Sequence, residues 1–67
     1  MATVKVIELV GASTQGWQQA AESALAKATQ TIQDIVCLDV VGWTAEVKDG
    51  RIAEYHANVK IAFRVHD

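Results

Sequence analysis

Sixty-seven residues make one domain (1–67), and a lone cysteine, Cys37, excludes an intrachain disulfide. The formal net charge is −2, and Lys5, Lys27, Lys48, Arg51, Lys60 and Arg64 are spread singly, leaving no clustered cations for a nucleic-acid groove. No apolar run approaches the roughly 20 residues that cross a bilayer, and the first residues lack a signal-peptide pattern, so a cytoplasmic protein without nucleic-acid or membrane partners is expected.

A domain this small buries only about 60% of its extended surface and usually needs a disulfide, a metal or a partner subunit. Yet 51% of the residues are hydrophobic, more than one helix stripe and one sheet face require. Self-association is the expected remedy.

Thr3 to Val10 is rich in β-branched residues and ends at Gly11, which predicts a first strand. Val4, Val6, Glu8 and Val10 take one face, and Lys5, Ile7 and Leu9 take the other. Neither face is cleanly polar, so the second is expected to meet another subunit.

Ser13 to about Gln33 reads as one amphipathic helix. Trp17, Ala20, Ala21, Ala24, Leu25, Ala28 and Ile32 recur at intervals of three and four, with Ile35 just beyond. Gln18, Gln19, Glu22, Ser23, Lys27, Gln30 and Gln33 fill the wet side. Ser13 is the expected N-cap. An alanine-rich stripe lets the helix lie close to what it covers, which should be a sheet.

Ile35 to Val47 predicts a second strand, Lys48-Asp49-Gly50-Arg51 a tight turn, and Ile52 to Val65 a third strand. A two-residue Asp49-Gly50 loop pairs Lys48 with Arg51 and fixes the register outward. Val36, Leu38, Val40 and Thr44 then face the helix opposite Phe63, Ile61, Val59 and Tyr55. The other face pairs Cys37 with Ala62, Asp39 with Lys60, Val41 with Asn58, Trp43 with His56, and Ala45 with Glu54. A bulge in strands this long would shift the outer pairs and flip their faces. The fold class is therefore α+β: β-α-β-β, a three-stranded antiparallel-type sheet wrapped on one helix. The helical crossover makes strands one and two parallel, with strand three between them.

The opening Val4-Lys5-Val6-Ile7-Glu8-Leu9-Val10-Gly11-Ala12-Ser13 resembles the first strand and helix approach of dodecins. Trp17, Ala20-Ala21, Ala26, Ala28, Thr31 and the closing Val59-Lys60-Ile61-Ala62-Phe63 continue the likeness over nearly the whole chain. The resemblance implies a hollow homododecamer that binds and stores a small molecule, with a flavin (riboflavin or FMN) as the family's usual ligand. It also implies a stacking tryptophan on strand two and a glutamine after the strand-three tyrosine. This sequence has Cys37 at the first position and, after Tyr55, His56 at the second. Both departures bear on the same ligand and predict weak flavin binding. They bring the pattern closer to a flavin-poor branch in which some members bind calcium.

Among individual residues, Trp17 reads as a core cap or subunit contact. Trp43 can be a stacking platform or fill an interface, and His56 can serve a ligand or an interface equally. Cys37 reads as a small buried hydrophobe without an activating neighbour. The acidic residues lack calcium-loop spacing, so a metal site would have to be assembled across subunits. His66-Asp67 is expected to fray. No nucleophile–base pair or phosphate-binding glycine loop is present, and a binding protein rather than an enzyme is expected.

Overall fold

In the computed structural model, which describes residues 3–66, β1 (Thr3–Ser13), α1 (Trp17–Thr29), β2 (Ile35–Lys48) and β3 (Arg51–Val65) follow one another in the anticipated β-α-β-β order. The sheet order is β1-β3-β2, and β3 is antiparallel to both neighbours, so the two edge strands run parallel. The turn is also as expected, with positive φ at both Asp49 (53°) and Gly50 (75°).

The helix is shorter than its hydrophobic pattern, and β1 is longer. Gly11, Ala12 and Ser13 remain in the ladder opposite Ala57, His56 and Tyr55, so their backbone groups are satisfied by the sheet. Ser13 is consequently not the N-cap. Its hydroxyl accepts from the Gln15 N–H at 3.0 Å and rounds the bend, while Gly16 holds the cap position without a side-chain bond. At the other end, the Thr31 and Ile32 N–H groups return to the Ala28 carbonyl at 3.2 and 2.9 Å. The chain then leaves the helix through Asp34, whose φ of 60° reverses its direction.

The core is the alanine stripe Ala20, Ala21, Ala24 and Ala28 set on Ala57, Val59 and Ile61 of the central strand. Gly11 makes this close approach possible. A Cβ there would lie 1.9 Å from the Ala20 carbonyl oxygen and 2.9 Å from the Ala24 Cβ. Ile7, Leu9, Leu38, Val40 and Tyr55 pack around the edge of this small core.

The register agrees with expectation from Cys37–Ala62 to Val40–Val59, and again at Lys48–Arg51. Shifts at Val36, Val41 and Ala53 change the rest. Gly42, not Val41, faces Asn58; Trp43 faces Ala57, Thr44 faces His56, and Ala45 faces Tyr55. Ile35 replaces Val36 opposite Phe63. Each bulge contributes one unpaired residue and inverts the alternation beyond it.

The molecule measures 51 × 20 × 12 Å, with a radius of gyration of 13.7 Å. A compact chain of this length would have a radius of about 11 Å. The excess comes from the β2–β3 hairpin, which runs out as an arm past the helix.

Candidate functional site

Alternation along β3 sorts the sheet into two faces. Ala57, Val59 and Ile61 are buried under the helix, so His56, Asn58, Lys60 and Ala62 point away from it. Their ladder partners share that outer face. Val6, Ala62 and Cys37 form one row; Glu8, Lys60 and Asp39 form the next. Val10, Asn58 and Gly42 follow, then Ala12, His56 and Thr44. Val4, Val6 and Val10 are exposed there, so the outer face alternates apolar rows with one charged row. Lys60 sits between two carboxylates, with Nζ 3.9 Å from Glu8 Oε1.

Cys37 is not the buried hydrophobe expected: on the edge strand it is an exposed free thiol, with Ala62 and then Val6 across its row and nothing aromatic in it. His56 is half-buried, and its Nε2 donates to Glu54 Oε1 at 2.7 Å, two residues back on the same face. The Cys37 and His56 rows are six residues apart along β3, about 20 Å at the usual strand rise. One flavin ring cannot span them within one chain, so a site using both positions would draw them from different copies.

Trp43 belongs to neither row. The bulge at Val41 turns it to the helix side beside Ala57, which corrects the expected Trp43–His56 pair. Its ring is 51% exposed because the helix lies over β1 and β3 and scarcely reaches β2. Trp17 lies near the same region. Its ring meets Tyr55 edge-on at a centroid distance of 4.7 Å, and its Nε1–H donates to the Thr44 carbonyl at 2.9 Å. Trp17 thus packs on Tyr55 at the margin of the core and stays 37% exposed.

Thr44 and Glu54 are the neighbours of His56 that sequence reasoning missed. Glu54 was legible, since residues two apart on a strand share a face. Thr44 was hidden by the bulge. Farther out on the same face, Glu46 lies opposite Glu54 and is bridged to Lys48 at 3.3 Å. Among the described residues, no three His, Cys, Asp or Glu side chains are grouped to hold a metal. His66 contacts Asp34 and so ties the end of β3 to the start of β2; Asp67 lies outside the described residues. A cleft of about 330 Å³ lies beside this tie, lined by Lys5, Ile32, Phe63 and Arg64 among others. Among the described residues, no helix is long and apolar enough to cross a membrane.

The dodecin family model matches residues 3–66. The dodecin of Thermus thermophilus is 29% identical over 63 residues, covering 94% of this chain and 91% of that protein. The calcium dodecin of Mycobacterium tuberculosis is 28% identical over 65 residues, covering 97% and 92%. Among solved structures, the dodecin from Streptomyces coelicolor superimposes with a TM-score of 0.95 at 30% identity, covering 98% of this chain and 94% of that one. The Mycobacterium tuberculosis calcium dodecin, described with a novel calcium-binding site, gives 0.84 at 26% identity, covering 96% and 91%.

Proposed function

This chain belongs to the dodecin family, and from that premise we propose that it is a small-ligand-binding protein that assembles into a hollow homododecamer, with a flavin site weakened at Cys37. The observation that carries the assembly is the outer sheet face. Val4, Val6 and Val10 are exposed around a charged row, where a monomer would place polar residues. Burial gains about 25 cal/mol per Å² of apolar surface, so covering even part of this face adds several kcal/mol to a domain with so small a core.

The ligand preference rests on the Cys37 row. A thiol on the edge strand, beside Ala62 and with Val6 beyond it, offers no flat surface for an isoalloxazine ring. His56 is engaged by Glu54, and one imidazole cannot present the donor and acceptor of an amide together. Weak flavin binding follows. A shell that binds calcium is the second reading. The face-to-face carboxylates Glu46 and Glu54 favour it, together with the similarity to a calcium dodecin.

Titration of riboflavin fluorescence against the purified protein, paired with thermal melts in calcium and in chelator, separates the readings. Stoichiometric quenching supports a flavin store, and a calcium-dependent rise in melting temperature without quenching supports the calcium-binding shell. Neither response would leave a structural shell and overturn the ligand-binding reading.

A further inference from the structure

A groove of about 330 Å³ runs along the free edge of β1 beside α1. Residues 9–12 form one wall, and Ser23, Ala24 and Lys27 form the other. Leu9 and Gly11 turn toward the helix while Val10 and Ala12 turn away, so a space that touches all four lies at the strand's edge rather than over either face. Gly11 and Ala24 are small, which leaves room beside the backbone. Alternate residues of an edge strand aim N–H and C=O groups away from the sheet. Among the described residues, no backbone hydrogen bond outside the ladder reaches β1. This strand pairs with β3 from Thr3 to Ser13 without a register shift, whereas the opposite edge, β2, is broken by three. Bulges, charges and prolines are the usual means of blunting an edge, and residues 9–12 have none of them. Across the groove, Lys27 has no carboxylate partner and the Ser23 hydroxyl no hydrogen-bond partner among the described residues. An ammonium and a hydroxyl one helical turn apart thus stand beside a row of backbone donors and acceptors.

We infer that this groove takes an extended segment of another protein, added to β1 as a further strand, with an aspartate or glutamate side chain directed to Lys27. Main-chain hydrogen bonds to the free edge supply the affinity, and the groove between strand and helix supplies the side-chain preference. β1 continues past the groove at both ends, so the segment runs through it, and the carboxylate belongs to a side chain rather than to a chain end. An apolar residue two positions from the acidic one lies on the same face of the added strand and meets Leu9 and Ala24. A second copy of this chain fits less well. About a two-fold axis its β1 brings a second α1 to the same edge and sets Lys27 near Lys27, and its β2 edge carries the three register shifts. The groove is apart from the outer-face valines and from the Cys37 row, so this inference holds independently of the assembly and the ligand proposed above.

The test is fluorescence anisotropy of a capped, fluorescein-labelled heptapeptide in which threonine alternates with valine, glutamate and valine, titrated with the full chain in its native assembly. The expected result is saturable binding. Two versions of the peptide, N-methylated at adjacent central residues, carry the geometry. Because an added strand uses alternate N–H groups, one version should lose binding and the other keep it. Lys27→Glu, with folding verified by circular dichroism, should weaken the glutamate peptide by at least about fivefold, and a lysine-for-glutamate peptide should regain the loss. No saturable binding up to about 1 mM overturns the inference, as does equal binding of the two N-methylated peptides. Light scattering covers the remaining case. A groove already filled by a second copy gives no peptide binding and an assembly mass that falls in Lys27→Glu, and that outcome also overturns the peptide reading.

Discussion

The indole of Trp17 donates to the backbone carbonyl of Thr44 at 2.9 Å, bridging the first turn of the helix to a strand 27 residues later. The helix otherwise rests on β1 and β3, so this bond is a polar tie between α1 and the arm. Trp17→Phe keeps the contact with Tyr55 but removes the donor. It should cost about 0.5–1.5 kcal/mol in urea unfolding, the usual net worth of one hydrogen bond. A variant as stable as the parent would show that the tie contributes nothing.

Gly11 is the second pressure point. Gly11→Ala places a methyl group against helix backbone at 1.9 Å, which no side-chain rotation relieves. The helix must lift from Ala57 and the alanine stripe must open. The expected loss is about 1–3 kcal/mol or more, measured by thermal or urea denaturation. At Gly16, by contrast, the near neighbour is the movable end of Gln19 and φ is extended, so Gly16→Ala should be nearly neutral.

Gly50 has open space around it but a φ of +75°. Gly50→Ala should therefore destabilise by about 1–2 kcal/mol through backbone conformation alone. Gly50→Asn should recover much of the loss, since asparagine tolerates this region. Equal effects of the two substitutions would contradict the conformational account.

For the ligand, the double change Cys37→Trp with His56→Gln should strengthen riboflavin binding. One ring platform is worth about 1–3 kcal/mol, or roughly 5- to 150-fold in affinity. Trp43→Ala should leave flavin affinity unchanged, because Trp43 lies on the other side of the sheet from Cys37. Loss of binding on Trp43→Ala would place the site on the helix side instead.

Much of this fold can be read from residue order. The alternation of Thr3–Val10, the alanine spacing of the helix and the Asp49-Gly50 turn each depend on local geometry, and each appears where those rules put it. The helix ends were less legible. Ser13 looks like a cap by residue type, but the ladder to Tyr55 claims it for the sheet, a tertiary fact that no window of sequence contains. The candidate site was legible only in part. Cys37–Ala62 matches the count back from the turn because the bulges at Ala53 on β3 and Val41 on β2 offset each other, whereas Trp43 lies between the two and so does not share a face with His56. Nothing in Val40-Val41-Gly42 fixes which residue bulges. Because strand alternation has period two, that single residue moves a tryptophan from one side of the sheet to the other.

Self-assembly is the central claim, and the molar mass in solution tests it most directly. Multi-angle light scattering at micromolar concentration should give a single species of twelve times the 7.3 kDa chain mass. A monodisperse species at the mass of one chain would contradict the account.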